Sequence, residues 1–237
     1  MTPLTGKVAL VLGGSRGIGA AIVERLSKDG AATTFTYAGS TEAAETLAKA
    51  TGARAVRADS ADRIAVGKVI AEAGPLDILI INAGIAVIGD PLEADPAEID
   101  KMINVNVRGP YHAAVDAART MNAGGRIIAI GSVNGDHIPY MGGAAYAMTK
   151  SALQGMVRGL ARDFGARGIT VNCVQPGPVD TDMNPADGPL KDIMHASMAI
   201  KRHAAPAEIA GMVAYLAGPE AAIVTGALHT IDGGYGA

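Results

Sequence analysis

Residues 7–19 read KVALVLGGSRGIG, and the interpretation of this stretch decides the architecture of the whole chain. Its first half is an apolar run with no charge after Lys7. Its second half is a turn carrying Gly13, Gly17 and Gly19, and a helical pattern, GAAIVERLSKDG, follows as far as Gly30. A short, unbroken apolar run ending in glycines reads as a strand buried on both faces. Glycines between such a strand and a helix permit a tight turn, close approach of the backbone to a pyrophosphate, and close helix–strand packing. The spacing is GxxxGxG rather than GxGxxG. Ser15, Arg16 and Ile18 fill the remaining positions of the turn and belong to the same candidate phosphate cradle.

The alternation continues outward from this unit. ATTFTY (32–37), RAVRAD (54–59), DILIINAG (77–84), GRIIAIGS (125–132), GITVNCVQPG (168–177) and GALHTIDG (226–233) read as further strands. Between them lie helical patterns: 40–52, opened by a Ser40/Thr41 cap; 61–74; a long helix from about Pro96 to Met121; the helix containing YAMTK (146–150); and 206–218. Residues 182–205 are loop-rich. Strands alternating with helices predict βαβ units, and hence an α/β, doubly wound, seven-stranded parallel sheet of the Rossmann kind. No repeat, low-complexity tract or linker interrupts residues 1–237, so one domain is expected.

Composition narrows the function classes. Hydrophobic residues make up 49% and charged residues 18%, enough for a large core and too few charges for disorder. A net charge of −3 gives no basic patch for nucleic acid and no basic helix for a membrane surface. The apolar run Val8–Leu12 is too short for a signal peptide or a membrane span, and the lone Cys173 fits a reducing compartment; a cytoplasmic protein is expected. The histidines at 112, 137, 195, 203 and 229 show no HxH or HExxH spacing, so no metal site is expected.

The end of the second strand bears on the choice of dinucleotide. An NAD site uses a carboxylate there to accept from the adenosine ribose diol. TTFTYAGST contains none, and the first acid, Glu42, is already in the next helix. Arg16, Tyr37, Ser40 and Thr41 offer instead a charge and hydroxyl donors for a 2′-phosphate, which points to NADP(H).

The chemistry centres on Tyr146 and Lys150. Four residues apart on a helix, they share one face. A phenol exchanges protons poorly at neutral pH, and a fixed ammonium beside it favours the phenolate. Ser132, at the carboxyl end of the fifth strand, is placed to bring a second hydroxyl to a substrate carbonyl as negative charge develops on it. Asn106 is a poor helix former inside a long helix, and it reads as a bend holding a water beside Lys150 to complete a proton path.

Taken in order, the glycine turn, Asp59, NAG at Asn82–Gly84, Asn106, Ser132, Tyr146, Lys150 and PGPVDT at Pro176–Thr181 resemble the short-chain dehydrogenase/reductase family over nearly the full length. The resemblance implies that Tyr146 is the general acid/base, that Lys150 supports it and holds the nicotinamide ribose, and that Ser132 orients the substrate. It also implies that Asp59 and Ser60 meet the adenine, that Asn82, Ala83 and Gly84 line the cofactor site, and that Pro176, Gly177, Val179 and Thr181 meet the nicotinamide amide. The partner expected is a small carbonyl or alcohol substrate. Leu12 and Ile81 depart from the family's usual threonine and asparagine, and altered local hydrogen bonding is expected there.

Shorter stretches, among them TYAGS, IGSVNGD, SALQGM and MAIKRH, are similar to a bacterial branch of the family associated with binding cyclic-di-GMP, which sets a binding role beside the enzymatic one. Arg158 and Arg162 imitate an RxxxR phosphate clamp, but no (D/N)xSxxG segment follows them and no RxxD occurs, so they read as surface arginines. Substrate choice should lie in Asn134–Gly143 and in a lid, Asp182–His203. Gly155 and Gly159 form a smooth strip that packs either on the protein's own sheet or against a second copy; the resemblance implies the latter, as a homotetramer.

Overall fold

Parallel strands cannot be joined by tight hairpins, so each apolar run here is followed by a crossover that covers one face of the sheet. The computed structural model describes residues 3–237. Its strands are β1 (Val8–Leu12), β2 (Ala32–Tyr37), β3 (Arg54–Arg57), β4 (Ile78–Ile81), β5 (Arg126–Ile130), β6 (Thr170–Pro176) and β7 (Leu228–Ile231). They form one sheet in the order β3-β2-β1-β4-β5-β6-β7, with every pairing parallel. The order reverses beside β1, between its neighbours β2 and β4, which is where a doubly wound sheet opens its crevice.

Eight α-helices flank the sheet: α1 (Gly17–Lys28), α2 (Thr41–Thr51), α3 (Arg63–Ala73), α4 (Pro96–Ile103), α5 (Gly109–Thr120), α6 (Ala144–Phe164), α7 (Lys191–Ser197) and α8 (Pro206–Ala217). One face buries Ile22, Val23 and Leu26 of α1 and Val213 and Leu216 of α8 with Phe35 and Ile80. The other buries Val66 and Ile70 of α3, the alanines of α5 and Val157 and Leu160 of α6 with Leu10, Leu79 and Ile127. Each fully buried side chain of this size contributes about 1.5–3 kcal/mol. Leu12 and Ile81 belong to the second cluster, while the Leu12 carbonyl accepts from the N–H groups of Asn82 (3.1 Å) and Ala83 (2.9 Å).

The structure departs from the sequence reading in three places. The long helix is not uniform: a π-helical segment, Asn104–Arg108, joins α4 to α5 and widens the turn around Asn106. The loop-rich stretch contains α7, which buries none of its residues and therefore carried no apolar period; Lys201 caps its far end by donating to the carbonyls of His195, Ala196 and Met198. Ser40 occupies the N-cap of α2 without a side-chain capping bond, unlike Asp62 and Asp95 at α3 and α4. Of the two readings of the glycine strip, the outward one fits: a Cβ added at Gly155 or Gly159 would meet nothing within 4 Å.

Candidate active site

The glycine turn is held from both neighbouring strands. Gly13, at φ +78°, donates its N–H to Thr36 Oγ1 of β2 (3.0 Å) and accepts at its carbonyl from Asn82 Nδ2 beyond β4 (2.7 Å). A Cβ at Gly13 would lie 2.8 Å from Ala83 Cα, and one at Gly19 only 2.1 Å from the Gly13 carbonyl oxygen. Gly19 is thus required by packing beneath the turn. Gly14 is required in the same way, because its Cβ would lie 2.6 Å from Phe35 Cβ. Above the turn, α1 begins with neither a side-chain cap nor an acid in its first turn, leaving its N-terminal N–H groups and positive dipole end for an anion.

A cleft of about 470 Å³ opens over that N-terminus. From the turn it is lined by Gly13, Ser15, Arg16, Gly17 and Ile18, and from the ends of β2 and β3 by Tyr37, Ser40, Asp59 and Ser60. Asn82, Ala83 and Gly84 line its floor, Tyr146 and Lys150 close one end, and Thr181 lies against Gly17. The size lies within the usual range of small-molecule sites. Of the other expected site residues, Gly19 lies beneath the turn, and Asn106, Ser132, Pro176, Gly177 and Val179 lie beyond the lining of this volume. Gly177 packs under Asp232, where a Cβ would lie 2.6 Å from that side chain, and Val179 is buried and bridged to Ala204. Among the described residues no three His, Cys, Asp or Glu side chains group as metal ligands, and no helix is long and apolar enough to cross a membrane.

These features fit a nicotinamide dinucleotide bearing a 2′-phosphate. The turn leaves backbone space for a pyrophosphate, and no acid stands at the end of β2. Arg16 reaches across the mouth to Asp182, Nη1 to Oδ2 3.3 Å, in an exposed pair that is weak enough to yield to a stronger anion. Arg57, at the end of β3, donates from Nε to the Ala38 carbonyl (3.2 Å) and adds a second cation beside the same strand end.

At the other end of the cleft, Lys150 is buried, donates from Nζ to the Ile130 carbonyl (3.1 Å), and lies 5.7 Å from the centroid of the Tyr146 ring. Ser132 is buried at the head of a 3₁₀ turn, Val133–Gly135, and its Oγ accepts from the Asn134 N–H (3.1 Å). That turn is clamped by Asp136, whose carboxylate accepts from Gln154 Nε2 of α6 and Gln175 Nε2 of β6. Asn106 is buried, and its amide is spent on the backbone: Oδ1 accepts from Ile85 N (2.9 Å), while Nδ2 donates to the Ile85 carbonyl (2.8 Å) and to Thr149 Oγ1 (3.0 Å). The expected bend at Asn106 is therefore present as the π segment, with both Nδ2 protons given to Ile85 and Thr149.

The substrate side is apolar with polar inserts. Val133, Met198 and Tyr235 form a small buried cluster with Met194 against it. Tyr140 is hydrogen-bonded by Asn134 Nδ2; burial, and then the neighbouring Tyr146 and Tyr235, push its phenol up to about 12. Thr36, Asp136, Thr149, Gln154 and Gln175 escaped the sequence reading. Only Thr149 carried a signal, as a β-branched residue inside a helix one turn from Tyr146.

Comparison with known proteins agrees with this geometry. The family described as enoyl-(acyl carrier protein) reductase matches residues 13–236. The chain belongs to the short-chain dehydrogenase/reductase family. It is 64% identical over 237 residues, 100% of both chains, to the cyclic-di-GMP-binding biofilm dispersal mediator protein of Escherichia coli strain K12. The crystal structure of BdcA in complex with NADPH superposes with TM-score 0.98 at 64% identity, covering 99% of this chain and 96% of that one. A short-chain dehydrogenase from Burkholderia cenocepacia J2315 in complex with NADP gives TM-score 0.96 at 46% identity, covering 99% and 100%.

The stretch 182–203 brings His195 Nε2 and His203 Nδ1 to 2.8 Å, and the other nitrogen of His203, buried, has no partner among the described residues. Burial, and then the charge of His195, hold His203 below its ordinary value, with Asp180 opposing. The unfolded chain therefore binds this proton more readily, so the associated stability is complete above about pH 6.5 and is lost as pH falls below it. His203→Gln should flatten the fall in unfolding temperature between about pH 6.5 and 5. Scanning calorimetry checks this, and identical slopes in the two proteins would acquit His203.

Proposed function

We propose that the protein is an NADP(H)-dependent oxidoreductase that interconverts a carbonyl and an alcohol. The observation that carries this reading is the meeting of Tyr146 and Lys150 at one end of a cleft whose other end is a phosphate cradle, with Ser132 next in sequence to Gly131 of the cleft lining. A nicotinamide bound in the cleft supplies or accepts the hydride. Tyr146 gives its proton to the carbonyl oxygen, Ser132 donates a hydrogen bond to that oxygen as charge builds on it, and the Lys150 ammonium stabilises the phenolate left behind. Asn106 holds the backbone under this group through Ile85. The buried lone Cys173 suits a reducing, cytoplasmic setting.

Arg16 and Arg57 support a preference for NADPH over NADH, to which Asp182 is the local competitor. Arg16→Ala should lower the NADPH/NADH affinity ratio by about tenfold, the loss of one charge-assisted contact, as read by nucleotide fluorescence titration. Tyr146→Phe should reduce turnover of any carbonyl that the wild type reduces by at least about a hundredfold, while the NADPH dissociation constant changes little. Turnover that survives in Tyr146→Phe would sink the assignment of the proton donor.

The 64% identical relative named for cyclic-di-GMP binding favours a second reading, in which this chain also takes that ligand. Its two phosphates and purines match what the cradle and the adenosine end of the cleft offer, so the two ligands would compete. Displacement of NADPH by cyclic-di-GMP, followed by fluorescence, decides the matter.

The outward strip of Gly155 and Gly159, with exposed Ala152 beside it, supports assembly through α6 into a homotetramer. Glycines inside a helix cost about 1 kcal/mol each, and an open strip gives no packing return within one chain. Gly155→Leu should convert the assembly to smaller species in light scattering. A wild-type monomer at micromolar concentration would refute assembly altogether.

A further inference from the structure

The first turn of α6 carries Tyr146 as its third residue, yet Gly143 at the N-cap offers no side-chain bond to hold that turn. The turn is fastened from within. Thr149, fully buried, donates from Oγ1 to the Tyr146 carbonyl at 2.7 Å and accepts on the same oxygen from Asn106 Nδ2 at 3.0 Å. The Asn106 amide is in turn closed on both the N–H and the carbonyl of Ile85, the residue that follows the cleft floor at Asn82–Gly84. A continuous set of hydrogen bonds thus runs from the backbone of Tyr146, through one hydroxyl and one amide, to the backbone beneath the cofactor cleft. Gly84 stands beside it, since a Cβ there would lie 3.4 Å from both Asn106 Oδ1 and Lys150 Nζ.

From this geometry we infer that Thr149 is a positioning residue: its hydroxyl sets the distance between the Tyr146 turn and the cleft floor that holds the nicotinamide end. Two observations exclude a passive role for the side chain. A threonine hydroxyl bonded only to its own helix satisfies itself locally, whereas this one also receives a donor from another element, 43 residues away in sequence. Asn106 is buried, so the Nδ2 proton given to Thr149 has no water to take it instead. Removing the hydroxyl strands an amide donor and loosens the turn that carries the proton donor, without touching the phosphate cradle at the far end of the cleft.

The test uses the full chain with Thr149→Val, which keeps the shape and removes the hydroxyl, and Thr149→Ser, which keeps the hydroxyl. The inference rests on the oxidoreductase reading, so it is measured by two independent readouts. In steady-state reduction of 2,3-butanedione with NADPH, Thr149→Val should lower kcat at least tenfold, with the KM for NADPH and its dissociation constant within twofold of wild type. Thr149→Ser should stay within threefold of wild-type kcat. In amide hydrogen exchange, the peptide covering residues 82–85 should exchange at least tenfold faster in Thr149→Val and unchanged in Thr149→Ser. If Thr149→Val is too unstable to assay, Thr149→Ser still decides: a tenfold loss of kcat with the hydroxyl retained overturns the inference. Unchanged kcat and unchanged exchange in Thr149→Val also overturn it. Absence of turnover in the wild type defeats the oxidoreductase reading instead, and the exchange measurement then judges the Thr149 link alone.

Discussion

Every strand of the sheet runs the same way, and that single constraint organises the molecule. With all pairings parallel and both faces covered by helices, the interior of the sheet is closed to polar chemistry, and the strands' carboxyl ends share one edge. The polar groups follow the constraint. Tyr37, Asp59, Asn82, Ser132 and Thr181 come from five different strand ends, yet all lie along that edge. The central place of β1 matters most, because its exit turn is braced from β2 by Thr36 and from β4 by Asn82. Phosphate cradle and cleft floor are therefore parts of one hydrogen-bonded unit.

Within that edge, side chains divide into those that face the cleft and those that hold others in place. The glycines show the division most plainly: Gly17 lines the cleft, whereas Gly14 and Gly19 exist to let Phe35 and the Gly13 carbonyl come close. Asn106 and Asp136 belong to the second group. The first closes on the backbone of Ile85, and the second pins the turn after Ser132 to both α6 and β6. Buried amides and carboxylates of this kind are tolerated because each finds its donors or acceptors, and satisfied networks specify geometry as well as stability.

Much of this was legible in the sequence, and the rest was hidden for physical reasons. The strands were readable because a buried parallel strand is an uninterrupted apolar run, as in Ile78–Ile81. The cleft residues near the glycine turn and on α6 were readable because their spacing alone puts them on one edge or one face. Helix α7 was not, since a short exposed helix shows no apolar period. The π segment was not, because widening a helix by one residue leaves no compositional trace; only the ill-suited Asn106 pointed to it. Pro176 and Val179 were placed by resemblance alone. Gln154 and Gln175 were invisible because their function lies in a partner, Asp136, that is distant from Gln175 in sequence.

The packing of Tyr235 on Val133 and Met198 ties the turn after Ser132 to the strand farthest from the glycine turn on that side of the sheet. Strand β7 joins the sheet only through β6, and the segment after it, with Gly233 and Gly234 at positive φ, carries Tyr235 back against the turn that follows Ser132. A change that frees β7 from β6 would therefore also release Tyr235 from Val133, and with it one side of the turn that carries Ser132.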